Sequence, residues 1–548
     1  MNQAIAKKDS NKNKRLWLVL FFVFIGTSTS FYLLNRNKTD LSAKASVKTA
    51  TVKKAPGAKP VMASKNLVPG KKAITVQSPV PRKRMTLQQE IAFFNRKHSV
   101  PFDNFFHDGY ASLSTGVANT IQKEDGYQIT FSDSSLLTTP AYYDSCIYVS
   151  GGFNSRAFFS FNAYTGKPVW SVNLSDDGPS SPIVTDSMVI FNTESCTIFA
   201  LERQTGKMAW SKWLGDPLLT NPATDGNLVF TAYPSMTLFM NPAKTDSFHL
   251  LIPSHPFVAL DIHTGKIKWQ RWLDGDVMAT PIVSGNDLFL TTFSGTMYRL
   301  SKEDGKIITA AKLDITSLPT IRGDKIYTTR KKIISGEFYE SIIELDKNSL
   351  SILRTLSTRK APYLDFNIQK ESQLKKNSAV LDAKNGFGIT PDQCGWKKAS
   401  LLIGQSNVSS LQSFIGSTIT ISDQNLFNCA GDIIQSIDID SGQIKWTYEL
   451  EGDLRKEGGH LATIPVICGQ TVISITTAGD VLFLDKSSGK LTKKISINTE
   501  VRNQPIIISG LIFIPTVKSG LITIDTKQKS FSNWPMFMKN VFHNTEID

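Results

Sequence analysis

Cysteine is scarce and scattered in this chain. The five, Cys146, Cys196, Cys394, Cys429 and Cys468, include no closely spaced pair, which excludes zinc-finger and thioredoxin-like motifs. An odd count leaves at least one thiol free in a monomer, although an oxidising compartment permits a bridge, with Cys429 and Cys468 in neighbouring repeats. Histidine is equally sparse. None of the seven stands four residues from another or beside a Cys/Asp ligand cluster, so no metal site is indicated. No Gly-x-Ser-x-Gly elbow offers an activated nucleophile, and the glycines and lysines between Lys54 and Lys72 do not form a phosphate-cradling loop. The sequence thus predicts neither catalysis, nor a cofactor, nor a metal.

Charge is missing where the formal +14 suggests it. Residues 1–85 hold 18 Lys or Arg against two Asp, so the remaining chain carries −2. Nothing in it forms an electrostatic footprint for nucleic acid. Long apolar runs are also lacking, except near the start: the basic segment 1–15 precedes residues 16–34, about 19 residues, just enough to cross a bilayer core. The upstream cations favour a cytoplasmic amino terminus, and the expectation is a single-pass inner-membrane anchor; the alternative is a cleaved signal, with Ser28 and Ser30 as small residues near a cleavage site. No cysteine precedes Cys146, which excludes a lipidated amino-terminal cysteine. Residues 35–85, rich in Lys, Ala, Ser, Thr, Val and Pro, read as a solvated, flexible linker whose cations suit a spacer or contact with anionic head groups or cell-wall polymer. Thr86 and Gln89 resemble a capping box, and Leu87, Ile91 and Phe94 share a helix face within a lead-in spanning 86–125. That helix packs on the following domain or docks a partner.

What fills residues 126–532 is a repeat. A strand-like run followed by a polar turn recurs eight times: Thr165-Gly166-Lys167, Thr205-Gly206-Lys207, Thr264-Gly265-Lys266, Asp304-Gly305-Lys306, Ser349, Ser441-Gly442-Gln443, Ser488-Gly489-Lys490 and Gln528. The spacings are 40, 59, 40, 45, 92, 47 and 40 residues. A period of about 40 to 45 built from short strands predicts an all-β, eight-bladed β-propeller of four-stranded antiparallel blades. Seven units open with a proline (Pro140, Pro182, Pro222, Pro281, Pro319, Pro465, Pro505), suited to the start of an innermost strand. Five residues past the turn stand Trp170, Trp210, Trp269 and Trp446, placed to fill joints between blades; Thr309, Arg354, Lys493 and Asn533 occupy the same place elsewhere and require different joints. The last unit runs out after three strands. Residues 126–132 are therefore expected to complete it and close the ring.

Two insertions break the period, near 233–256 and 354–412, and loops on a rigid scaffold often carry recognition. Met236, Phe239, Met240, Phe248, Phe387 and Trp396 are the candidate partner-binding residues; the alternative is that both insertions only cap the ring. A short tail, 533–548, follows.

The segments Ala259–Trp269 and Ser436–Trp446, together with Trp534-Pro535-Met536-Phe537 and His543, resemble the repeat and tail of pyrroloquinoline-quinone-type propellers across the whole repeat region. That resemblance implies one of two branches. The quinone-dependent dehydrogenases typically use a disulfide between adjacent cysteines and a calcium held by acidic and amide side chains; this chain has no Cys-Cys dipeptide and no matching constellation. The non-catalytic, BamB-like branch is the better match, although the absent lipoprotein cysteine and the basic tether depart from its pattern. The expected function is a scaffold facing the periplasm and binding an envelope protein or a cell-wall component, with a quinoprotein dehydrogenase as the alternative.

Overall fold

The computed structural model describes residues 86–89 and 92 and most of residues 109–547, leaving out short internal segments and the longer stretches 234–254 and 362–415. The chain divides into Met1–Pro81 and Arg82–Asp548, and every described residue belongs to the second unit. Among the described residues no helix is long and apolar enough to cross a membrane; the expected span, 16–34, lies outside them, as does the linker. At the amino end of the unit the capping box forms. The Thr86 amide donates to Gln89 Oε1 (3.0 Å), and the Gln89 amide to Thr86 Oγ1 (3.3 Å).

Among the described residues eight sheets follow, each built on four antiparallel strands, which run in sequence order in blades 1 to 7. The inner strand begins directly after the predicted proline in seven blades, at Ala141, Ile183, Ala223, Ile282, Thr320, Val466 and Ile506, and at Ile419 after Thr418 in blade 6. Alternation sends apolar side chains to both faces of the middle strands, so each cluster of buried residues lies between two neighbouring blades. Residues Gly126–Phe131 pair antiparallel with Leu521–Asp525, closing the ring as the sequence predicts. The lead-in contributes more than expected. Ala118–Lys123 adds a fifth strand to blade 8, and Ala111–Ser114 a fifth strand to the outer edge of blade 1.

The tryptophans seal four joints by one device. Each indole lies against the turn glycine of the next blade, so that a Cβ at Gly206, Gly265, Gly305 or Gly489 would strike the ring of Trp170, Trp210, Trp269 or Trp446. Each Nε1 donates to the carbonyl three residues before that glycine, at Arg203, Ile262, Lys302 or Lys486 (2.8–3.0 Å). At the joint between blades 5 and 6 Arg354 takes the same role, donating to the Ile439 carbonyl (2.5 Å) while buried Glu344 holds its guanidinium (2.7 Å). Blade 8 has a different joint, as the sequence requires. Its outer strand comes from the amino end, and the joint is filled by Tyr127, whose hydroxyl donates to the Ala163 carbonyl (2.6 Å) beside Gly166; Asn533 lies outside the described residues. Cys429 and Cys468 are buried and unpaired, each thiol pushed up to about 12 by burial; Cys196 and Cys394 lie outside the described residues.

The turns carry a pH dependence. Hydrogen bonds from Thr264, Ser441 and Ser487 lead the effects that hold Asp261, Asp438 and Asp485 down to about 2, below the ordinary 3.8. A carboxylate whose folded value is depressed adds stability above its unfolded value and loses it as pH falls through the folded one. Unfolding midpoints should therefore drop as pH falls from about 4 to about 2, and D438N/D485N should flatten that slope. An unchanged slope would show that these turns do not couple folding to protonation.

The carboxy-terminal tail lies inside the ring. Inner strands are hydrogen-bonded on one side only, and the tail pairs with their free edges in turn. Trp534 exchanges backbone bonds with Ile507 of blade 8 (3.0 and 3.2 Å), and the Pro535 carbonyl accepts from Tyr142 of blade 1 (2.6 Å). The Val541 carbonyl accepts from Thr224 of blade 3 (3.1 Å), and Glu546–Ile547 run parallel to Ile421–Ser422 of blade 6. Trp534, Phe537, Met538 and His543 are all buried, and burial lowers the His543 imidazole to about 3 against the opposing Pro222 carbonyl. The tail thus crosses the centre of the propeller.

Candidate binding face

Strand direction sorts the connections onto two faces. One carries the tight turns between first and second strands and between third and fourth; the other carries the connections from second to third strand and from blade to blade. Both insertions open on the latter. Residues 234–254 leave from Ala232 and return at His255, between the second and third strands of blade 3, and residues 362–415 lie between the last strand of blade 5 and the first of blade 6. The six candidate residues Met236, Phe239, Met240, Phe248, Phe387 and Trp396 lie outside the described residues.

A third departure from the repeat shares this face. The second and third strands of blade 5, Lys325–Ile334 and Glu337–Asp346, have ten residues each, where the second strand of every other blade has five or six. Ile334 pairs with Glu337 across a two-residue connection in which Ser335 takes φ 52°, the geometry favoured in tight hairpins. The fourth strand, Ile352–Lys360, extends alongside to its pairing of Lys360 with Tyr339. A three-stranded flap therefore stands above the ring where the larger insertion begins.

Residues directly opposite one another across antiparallel strands share a side. On the side toward blade 6 the register sets Lys331, Glu340 and Arg359 in a row. Glu340 is only 4% exposed, and a buried carboxylate needs partners. It accepts from the Ser417 amide (3.1 Å) and the Ser417 hydroxyl; that hydroxyl accepts from Asn428 Nδ2 (2.6 Å), and Asn428 Oδ1 from Gln435 Nε2 (3.0 Å). Burial lowers Lys331 to about 8, with Glu340 acting in the opposite direction. Arg359 reaches Asp432 (2.6 Å) and the Ala430 carbonyl. The Gly416 amide donates to the Thr316 carbonyl (2.5 Å) as the chain re-enters the ring. This network clamps blade 5 to blade 6 below the point where the larger insertion returns.

The other side of the flap, toward blade 4, carries Arg330, Ser341 and Thr358 in one row and Lys332, Tyr339 and Lys360 in the next, with Ile334 opposite Glu337 at the tip. This flap was not among the features expected from the sequence. Its signal was two ten-residue β-rich runs meeting at Ser335-Gly336, longer than a blade requires. Among the described residues no group of three or more His, Cys, Asp or Glu is arranged to hold a metal.

The comparisons agree with the repeat. The family model described as outer membrane protein assembly factor BamB matches residues 115–248, 249–339 and 409–541, more than half of the chain. No functionally curated protein matches it. Among solved structures the chain is similar to BamB from Moraxella catarrhalis, at 14% identity and TM-score 0.44, covering 76% of this chain and 97% of that one. It is also similar to Saccharomyces cerevisiae Sqt1 (9%, 0.49, 74% and 99%) and to quinohemoprotein alcohol dehydrogenase from Comamonas testosteroni (11%, 0.44, 71% and 72%). On the extent of the family match, this chain belongs to the BamB family of PQQ-type repeat propellers.

Proposed function

We propose that this protein is a non-catalytic scaffold of a bacterial cell envelope, held in the inner membrane by residues 16–34, with its propeller in the periplasm binding an envelope protein or a cell-wall component. The role named for its family, outer-membrane protein assembly, supplies the setting. One observation carries the reading: both insertions and the blade 5 flap open on a single face, while the centre of the ring is occupied by the chain's own tail. A stiff ring presenting irregular loops on one side suits recognition without chemistry.

The test is recovery of the full-length protein from gently solubilised membranes, with captured neighbours identified by mass spectrometry and compared with a variant lacking 361–411. Envelope proteins should be enriched with the full chain and lost from the deletion. Undiminished capture would remove the larger insertion from the contact. Stoichiometric retention of pyrroloquinoline quinone with Ca²⁺, accompanied by dye-linked alcohol or sugar oxidation, would overturn the scaffold reading.

A further inference from the structure

The side of the blade 5 flap that looks toward blade 4 is a sheet face with cations and few acids. Arg330 bridges to Ile315 in the backbone, and Ile315 belongs to the apolar layer between blades 4 and 5, so the arginine stands at the top of that layer. Its Nε is shut off from solvent and has no hydrogen-bond partner, and among the described residues its side chain forms no ion pair. A guanidinium donor removed from water with nothing to donate to is costly to leave unmade. Beside it, Tyr339 lies between Lys332 and Lys360 across the three strands, and Ile334 is 47% exposed at the tip. The one carboxylate on this side among the described residues, Glu337, is engaged by Lys360 (3.2 Å). Ser341 and Thr358 bond to each other (2.9 Å). Among the described residues Arg330 and Lys332 are thus cations without an acid on a face that also offers an aromatic ring and an aliphatic side chain.

We infer that this face is a docking site for an extended, acidic polypeptide segment of a partner, whose carboxylates meet Arg330 and Lys332 and whose apolar side chains lie on Tyr339 and Ile334. Guanidinium and carboxylate match in geometry and charge. The apolar pair suits a peptide better than a bare anion, and the net −2 of the chain beyond residue 85 gives no general attraction for nucleic acid. The inference rests on the scaffold reading and adds the chemistry of the partner.

The test uses the full-length protein in detergent and a fluorescein-labelled peptide of alternating glutamate and leucine, followed by anisotropy, beside the same peptide with glutamine for glutamate. Saturable binding of the glutamate peptide is expected, weakening with added salt. Arg330→Gln and Lys332→Gln should each weaken it about tenfold, while Lys306→Gln, on a turn of the opposite face, leaves it unchanged. Unfolding midpoints of the variants should match the parent, which separates lost binding from lost folding. Equal binding of the glutamine peptide, unchanged binding by both flap variants, or no saturable binding would overturn the inference. Binding of phosphatidylglycerol vesicles that depends on Arg330 and Lys332, without peptide binding, would replace the polypeptide by a lipid surface and overturn it too. Quinone turnover tests the scaffold reading separately, because neither flap residue lies at the ring centre.

Discussion

Replacing Gly126 by valine is expected to prevent stable closure of the ring. Gly126 opens the strand that completes blade 8, takes φ 129°, and leaves so little room that a Cβ would collide with the Thr523 carbonyl of the strand it pairs with. Valine adds bulk where only glycine fits, in a backbone region that β-branched residues avoid. Relief requires the strand to separate from Leu521–Asp525, which withdraws Tyr127 and Ile129 from the layer between blades 8 and 1. The loss should reach about 3 kcal/mol or more, measured as the shift in denaturant midpoint, with early protease cleavage near residues 118–131. Gly285→Asn is the control: φ is 61°, nothing lies within 4 Å of an added Cβ, and asparagine tolerates that conformation. Equal midpoints for Gly126→Val and the parent would show that the amino-terminal strand does not hold the ring closed.

Trp534→Ala should have a comparable effect from the other end of the chain. Its indole is fully buried among Ile507, Ile512, Phe531 and the strands of blade 7, and its backbone pairs with the inner strand of blade 8. Truncating a large buried aromatic costs about 3–5 kcal/mol. Here the cavity also releases the entry point of the tail, so the free inner edges of blades 1, 3 and 6 should lose protection against amide hydrogen exchange together with that of blade 8. A destabilised variant in which only blade 8 loses protection would mean that the remaining tail contacts hold on their own.

The ring was legible because its determinants recur. Turn glycines, inner-strand prolines and joint tryptophans return at the blade period in six, seven and four units, and each has one physical job that repetition makes visible. What escaped detection occurs once. Arg354 does the work of a tryptophan, but only because Glu344 lies buried beside it, and that pairing is a product of the fold. Tyr127 fills a joint for which counting forward from the last turn offers no tryptophan, since the strand that carries it comes from the far end of the chain. The fifth strands Ala111–Ser114 and Ala118–Lys123 are short and face solvent on one side, so they lack the apolar alternation of the others. The tail reads as polar punctuation around a few large residues, and its course is set by the free edges it meets. For the candidate site, composition located the two insertions but not the flap, whose face is assembled by register across three strands.

Closure by a strand from the opposite end also imposes a schedule. Gln128 donates to the Ser519 carbonyl across 391 residues, and chains grow at about 5–20 residues per second, so the closing strand must wait roughly 20–80 s after its own synthesis for its partner to be made. During that interval Gly126–Phe131 and every finished inner edge are open to other chains. The propeller is therefore latched late, by Gly126–Phe131 and the tail together. A ribosome that stalls before residue 521 leaves behind blades without a ring, a species for proteases and chaperones to clear.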